Sequence, residues 1–225
     1  MITLTIENIP IYCINLATRT DRWDRIRDRF TSYGLPVRRW SAATPDKVVG
    51  NYVGYLNPVQ RACTYSHISL FEHALAMNYE AVFIIEDDAA FRHDWKGIVA
   101  EKLAHIGTED PEWDALFLNV AEEVTPFETW RPARDQCLAG AYIIRKKAIE
   151  YILGAHTAMY YCIDWMTQVL QTRRHSYTYF PWLAIQEGST SDIQGGAPTA
   201  DFQKVRRLLS WADYPLANYG ICAGK

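Results

Sequence analysis

Residues 81–91 read AVFIIEDDAAF: five apolar residues, Ala81 to Ile85, run without a linker into Glu86, Asp87 and Asp88. A short run of β-compatible residues reads as a buried strand, so the sequence predicts a strand whose carboxyl end carries three carboxylates. Carboxylates a few ångströms apart raise one another's pKa unless something positive sits between them, and hard divalent ions prefer such all-oxygen surroundings. The plainer reading is turn chemistry, since acidic residues are common after a strand and face water there.

Working upstream, residues 58–77 carry Val59, Ala62, Cys63, His67, Leu70, Phe71, Ala74 and Leu75 on one helical stripe. Ile9 to Leu16 reads as a first strand, and Thr18 to Asp21 fits an N-terminal capping pattern. The helix that follows, about residues 21–33, has Trp23, Ile26 and Phe30 at helical spacing and Asp21 placed to pair with Arg25. Val37 to Trp40 is a second strand, and Ser41 to Asn57 is a long loop punctuated by Pro and Gly. Downstream, the pattern predicts a helix over 95–106, strands over 115–119 and 139–144, and a helix over 146–153. Beyond residue 155 it loosens, with a helix near 164–171, a strand near 176–180 and an amphipathic helix near 202–211. Strand and helix alternate through most of this span, which predicts an α/β, Rossmann-like layer structure with a mainly parallel sheet and helices on both faces. Ligands gather at the carboxyl ends of strands in such folds, and both Asn15-Leu16 and the acidic trio lie at such ends.

Composition narrows the function classes. The chain has 225 residues, 49% hydrophobic and 22% charged, with a net charge of −3. It can bury a core, and it lacks the basic excess on which nonspecific nucleic-acid binding rests. Eight Trp and fourteen Tyr form a heavy aromatic load, useful for packing and for stacking against sugar or base rings. The five cysteines are scattered and never spaced as CxxC, which argues against a zinc site or a disulfide framework and points to a reducing, cytosol-like compartment. MITLTIENIP has no basic n-region or apolar h-region, and no run of about 18 apolar residues occurs, so any membrane contact is expected to be peripheral. The GxGxxG, GxxxxGK[ST] and GxSxG motifs are all absent, and Cys63 with His67 at i, i+4 suits core packing at least as well as nucleophilic catalysis.

Read in order, YCINLATRTDRW, RACTYSHISLFEHAL, VFIIEDDAAF, AGAYIIRKKAIEYIL, CIDW and IQEGSTSDI resemble the successive blocks of glycosyltransferase family 25. That family contains bacterial lipooligosaccharide galactosyltransferases and, more distantly, collagen galactosyltransferase domains. The resemblance runs from about Pro10 to Ile193, and the combination of NLxxRxxR, CxxSH and EDDA carries its specificity. It implies one GT-A domain over residues 1–225, with a donor-binding part at about 9–120 and an acceptor part at about 135–215. It also implies a UDP-sugar donor, Mn2+ or Mg2+, and transfer with inversion to a glycan or lipid-linked saccharide at the cytoplasmic side of a membrane.

The resemblance also distributes roles. Asp88 becomes the main metal ligand, with Glu86 as a second ligand or ribose contact on the same side of an extended segment; Asp87 is assigned to the donor. Asn15, Leu16, Arg19 and Arg22 are expected to receive the nucleotide, and Ser66 and His67 to stand near the donor. Residue types alone also allow a solvated charged face for the arginines and a satisfied core histidine for His67. Asp164 is the candidate general base, and a helix-starting acid without catalytic duty is its plainer reading; Asp192 is the alternative base. Gln186 and Ser191 are expected near the donor phosphates or sugar. No late histidine, His156 or His175, fits a matched block, so the third metal ligand is unassigned. The segment FQKVRRLLSW sets Lys204, Arg206 and Arg207 beside Phe202, Val205, Leu208 and Leu209, a pattern suited to an anionic membrane or to ordinary packing. A non-catalytic sugar-binding module and a receiver-type phosphoryl-transfer protein are the alternatives from other classes. The receiver needs an acidic pair after the first strand, where this chain has Asn15-Leu16.

Overall fold

The computed structural model describes residues 4–119, 127–134, 139–187 and 200–221. In chain order the elements are β1 (Ile11–Asn15), α1 (Thr20–Ser32), β2 (Val37–Ser41), a single 3-10 turn at Pro45–Lys47, α2 (Pro58–Ala76), β3 (Ala81–Glu86), β4 (Ala89–Phe91) and α3 (Trp95–Glu109). There follow β5 (Ala115–Phe117), β6 (Phe127–Pro132), β7 (Ala141–Arg145), α4 (Lys146–Ala155), α5 (Ile163–Gln168) running into a 3-10 segment at Val169–Arg173, β8 (Ser176–Phe180), β9 (Ala184–Gln186) and α6 (Ala200–Trp211).

Seven strands form one sheet in the order β2-β1-β3-β7-β5-β8-β6. β2, β1, β3, β5 and β8 point one way, while β7 and β6 run against them, so the sheet is α/β and mainly parallel in strand direction, as the alternating pattern predicts. The side-chain period of two sorts each strand into two cores. Ile11, Cys13, Phe83, Ile85, Leu116 and Ile143 pack with Ile26 and Phe30 of α1 and Trp95 and Val99 of α3. Tyr12, Ile14, Val82, Ile84, Phe117, Tyr142 and Ile144 pack with Ile68 and Phe71 of α2, Ile149 of α4 and Met166 of α5. Burying each such large side chain contributes about 1.5–3 kcal/mol. Ile85 therefore faces α1 and Ile84 faces α2, and this alternation continues past the strand into the acids.

The helix that carries the CxxSH segment is fixed at its start by a capping box. Asn57 Oδ1 accepts from the backbone N–H of Val59 and Gln60 at 2.9 Å, and Gln60 Oε1 accepts from Asn57 N at 3.0 Å, with Pro58 leading the helix. A cap of this kind contributes about 1 kcal/mol. The cap expected at Thr18–Asp21 is not made: Arg19, at the N-cap of α1, makes no side-chain capping bond to the helix backbone, and its guanidinium takes the Asp21 carboxylate at 3.0 Å. Arg25 does not take Asp21 either; it reaches Glu187 at 2.8 Å, a carboxylate only 14% exposed, where a charge pair is less screened by water. Three strands escaped the sequence reading. β4 and β9 pair antiparallel as a separate two-stranded sheet, Ala89 opposite Gln186, and are too short to show a period. β6 is an edge strand with an irregular register between Phe127 and Trp130, and it ends in Pro132.

A third, smaller core joins Phe180, Trp182 and Ile185 to Val205, Leu208 and Leu209 of α6. The apolar stripe that sequence reading offered to a membrane is thus occupied by the protein's own packing at these three positions, while the Phe202 and Lys204 side chains lie outside what the structure describes. Among the described residues no helix is long and apolar enough to cross a membrane. Leu209→Ala is expected to lower stability by about 2–4 kcal/mol. Trp211→Ala, at a position 67% exposed on the same helix, should stay within about 0.5 kcal/mol of the parent in urea unfolding; equal effects would argue against the packed arrangement.

Candidate active site

Alternation along β3 divides the three acids. Asp87 follows Phe83 and Ile85 toward α1, where its Oδ1 accepts from Arg22 Nη1 at 2.8 Å and its Oδ2 from Asn15 Nδ2 at 2.6 Å. Asn15 is itself held, since Nδ2 also donates to Arg19 O at 3.0 Å and Oδ1 accepts from Arg39 Nε at 2.8 Å. Arg39 then donates through Nη2 to Leu16 O and Ala17 O at 3.0 and 3.2 Å. Asn15 and Arg22 are 1% and 4% exposed. These residues, expected to receive a nucleotide, are thus engaged in fixing Asp87, and Arg19 is engaged with Asp21 at the exposed start of α1. Arg22 still contributes to the wall of the neighbouring cleft.

Glu86 follows Val82 and Ile84 toward α2. Its Oε1 lies 3.3 Å from His67 Nε2 and 3.9 Å from Cys63 Sγ. His67 is wholly buried, and its Nδ1 meets Tyr142 Oη at 2.9 Å. Burial drives the His67 pKa down to about 4, so the ring is neutral near pH 7. The tautomer that satisfies every partner has the Tyr142 hydroxyl donating to Nδ1 and Nε2–H donating to Glu86. Burial, followed by the carboxylates around it, pushes the Cys63 thiol well up, so it is a protonated neighbour and no nucleophile.

Asp88 has no such counterpart. It lies between β3 and β4, its backbone carbonyl accepts from Glu187 N at 2.8 Å, and its buried Oδ1 has no hydrogen-bond partner among the described residues. Burial first, then the charges of Glu86 and Asp87, lifts Asp88 to about 8; burial and Asp87 lift Glu86 to about 7. Two carboxyl groups pushed up by burial and mutual repulsion, with an orphaned oxygen beside them, are what a divalent cation would relieve, so the residues fit a metal of oxygen-preferring type. Ligand atoms of Cys63, His67 and Glu86 also lie within 4.8 Å of one another, which makes Glu86 the oxygen shared by two possible donor sets. The hard ions expected here favour the carboxylate set over thiol and imidazole.

These acids open onto a cleft of about 360 Å³, within the range of small-molecule sites. Glu86, Asp87, Asp88 and Arg22 form its polar floor, Gln186 of β9 closes one side, and Leu16, Thr18, Ser66, Val59 and Ala62 contribute elsewhere. The loop after β2 supplies Ala42, Ala43, Thr44 and Pro45. That loop is fastened by Ala42 N to Asn15 O at 3.0 Å and by Ala43 N to Ser66 Oγ at 2.8 Å, so Ser66 shapes the wall by holding backbone. Asp164, on the first turn of α5, accepts from Ala139 N at 2.8 Å and does not line the cleft itself. Its charge is nevertheless felt at Cys63, His67 and Tyr142, the residues around Glu86. Ser191 and Asp192 lie outside the described residues. Sequence reading missed Tyr142, Arg39, Glu187 and the Ala42–Pro45 wall; only the unusual length of the loop over 41–57 signalled the last of these.

A model of the family described as "Glycosyltransferase family 25 (LPS biosynthesis protein)" matches residues 8–167. A "Glycosyltransferase 25 family member" of Aedes aegypti is 28% identical over 152 residues, covering 59% of this chain and 24% of that protein. The "Lacto-N-neotetraose biosynthesis glycosyltransferase LgtB" of Neisseria gonorrhoeae is 23% identical over 164 residues, 63% of this chain and 59% of that one. The chain therefore spans about a quarter of the insect relative and 59% of the bacterial one. The crystal structure of a glycosyltransferase involved in the glycosylation of the major capsid of PBCV-1 overlaps 81% of this chain at 8% identity and a TM-score of 0.34.

The raised acids set a pH dependence. Folded Asp88 and Glu86 titrate near 8 and 7 against ordinary values of 3.8 and 4.5, so the folded state binds more protons between those limits. The contribution of these two groups to the stability of the metal-free protein is then full below about pH 4 and declines as pH rises toward 8, while His67, held down to about 4 against an ordinary 6.5, adds stability as pH rises between those two values, so the decline is read from about pH 6.5 to 8. Asp88→Asn should flatten that decline in urea midpoints measured across the range, and Mn2+ should raise the melting temperature more at pH 8 than at pH 5. A wild-type profile that rises between about pH 6.5 and 8, above the range in which His67 titrates in the unfolded chain, would contradict the assignment.

Proposed function

The chain belongs to glycosyltransferase family 25, and from that premise we propose that it transfers a hexose, with galactose the first candidate, from a UDP-sugar to a hydroxyl of a glycan such as lipooligosaccharide, with inversion at the anomeric carbon. The observation that carries the reading is the pair Glu86 and Asp88 on the floor of a cleft of about 360 Å³, one acid held by a neutral histidine and the other with an unpartnered oxygen. Bacterial relatives named for lacto-N-neotetraose biosynthesis support a saccharide acceptor.

Asp88 and Glu86 are the residues that would hold Mn2+ or Mg2+. When bound, such an ion neutralises the donor's diphosphate and makes it a better leaving group. Asp87 is fixed by Arg22 and Asn15, which turns it toward α1 and partly meets its charge within the protein. His67, donating Nε2–H to Glu86 and accepting from Tyr142 at Nδ1, orients that carboxylate without adding charge. Leu16, Thr18 and the loop at Ala42–Pro45 give the donor an apolar wall, and Gln186 offers an amide for its phosphates or sugar. Asp164 takes the proton of the acceptor hydroxyl as that oxygen bonds to the anomeric carbon, and the breaking bond's electron pair leaves with UDP. Asp192, in the segment outside the described residues, is the second candidate base. Three described cysteines, Cys13, Cys63 and Cys162, are free thiols, which suits work on the cytoplasmic side, at the inner face of a membrane carrying the acceptor.

Turnover of UDP-galactose, UDP-glucose and the UDP-N-acetylhexosamines with Mn2+, followed by UDP release and product mass, tests the reading. Asp88→Ala should lower kcat by at least about 100-fold. Asp164→Asn should lower it by about 100-fold to 10,000-fold while leaving donor KM nearly unchanged. Wild-type protein that binds nucleotide sugar yet neither hydrolyses nor transfers it would assign the fold to a binding module instead.

A further inference from the structure

On one side of the candidate site the surface carries large aromatic rings that the core does not use. Tyr55 is 59% exposed, Trp165 54% and Tyr161 36%. They are arranged together: the rings of Tyr55 and Trp165 lie 5.9 Å apart, and Tyr161 stacks with Trp165 at 6.5 Å and 24° between planes. Aromatic side chains exposed in company, away from any packing duty, mark a binding surface more often than single ones do.

The shelf is braced from behind. Tyr160 N donates to Asn51 O at 2.9 Å, Val53 N donates to Tyr160 O at 3.1 Å, and Asn51 Nδ2 donates to Ala158 O at 3.1 Å, so the two segments that bear the rings are tied together. Tyr52 and Tyr160, one on each segment, pack against each other at 5.4 Å. Gly50 sits at φ +118°, where a Cβ would come within 2.9 Å of the Tyr160 ring, so this approach needs glycine. The shelf is also tied to the elements that line the cleft. Tyr55 leads into α2, which gives Val59, Ala62 and Cys63 to the cleft; Trp165 follows Asp164; and Ile163 N donates to Thr64 Oγ1 at 3.2 Å, clamping α5 onto α2.

Charge identifies the occupant. No Lys, Arg, Asp or Glu occurs between Lys47 and Arg61 or between Glu150 and Asp164, the two segments that form the shelf. An anionic lipid surface or a nucleic acid would call for cations there. A neutral saccharide does not: its C–H face lies on an aromatic ring while its hydroxyls stay at the wet edge. We propose that Tyr55, Tyr161 and Trp165 form a subsite for neutral sugar rings of the acceptor, delivering its terminal hydroxyl toward Asp164. The subsite rests on the glycosyl-transfer reading for its role, and saccharide binding can be measured apart from turnover.

Saturation-transfer NMR without donor or metal, using lactose, N-acetyllactosamine, cellobiose and maltose as probes, should show ring C–H contacts with at least one of them. Tyr55→Ala combined with Trp165→Ala should abolish that signal, and Trp165→Phe should retain most of it. In the transfer assay the double variant should raise acceptor KM about tenfold or more with donor KM within about twofold. Both positions are exposed, and the melting temperature should confirm an intact fold. Binding and acceptor KM unchanged in the double variant, or no probe bound by the wild type, would overturn the subsite and leave glycosyl transfer standing. A wild-type dimer in sedimentation that the double variant dissociates, with acceptor KM unchanged, would assign the shelf to a second copy of the chain. Saccharide binding lost in the double variant, in a protein that turns over no sugar nucleotide, would support the subsite and sink the transfer reading.

Discussion

Three consecutive carboxylates at the end of a buried strand repel one another, and the architecture around β3 is arranged to manage that repulsion. The pleat separates them first: Asp87 is sent to the α1 side and Glu86 to the α2 side. Each flank then answers differently. Arg22 and Asn15 give Asp87 a charge and an amide, so that acid is compensated within the protein. His67 gives Glu86 only a neutral donor, and Asp88 keeps an oxygen without a partner among the described residues. Asp87 has a cation and an amide bonded to it, whereas among the described residues Glu86 and Asp88 have no cation bonded to them, and all three line the cleft. A protein that needed these acids only for solubility would leave them in water; one that needed them only for packing would pair all three.

Much of this was legible in the sequence because it is written locally. The apolar run into Glu86-Asp87-Asp88, the stripe on the helix from Pro58, and the alternation of strands and helices each declare themselves within a short window, and the sheet's predominant direction follows from them. What was not legible is what depends on partners distant in sequence. Nothing near Arg25 announces Glu187, so its pairing with Asp21 looked natural by spacing and was not realised. Asn15 and Arg22 read as ligand contacts, and their attachment to Asp87, across 72 and 65 positions, was not visible beside that reading. Tyr142 read as one more apolar residue of a strand, although its hydroxyl sets the tautomer of His67. The basic, apolar helix near the end of the chain was ambiguous for the same reason: its stripe fits a lipid surface and Trp182 equally well until the fold chooses.

Family membership and local physics bear on different questions. Membership fixes the lineage of residues 8–167. It does not explain why His67 lies on an apolar helix face, why Ser66 should bond a loop amide, or why Gly50 is required where Tyr160 passes. Those answers come from burial, hydrogen-bond accounting and backbone conformation, and they turn a motif into working parts. CxxSH becomes a thiol beside Glu86, a hydroxyl that holds the wall of the cleft, and a neutral imidazole that aims a carboxylate.

The pairing of β4 with β9 also imposes an order in time. Asp88 and its two acidic neighbours leave the ribosome long before Gln186 and Glu187, and the contact between them is among the longest-range in the fold. Contacts of such separation form late, because the chain entropy of closing the intervening loop must be overcome first. The cleft, which Gln186 of β9 lines beside Glu86, Asp87 and Asp88, is therefore complete only once the late strands of the chain have joined the early ones.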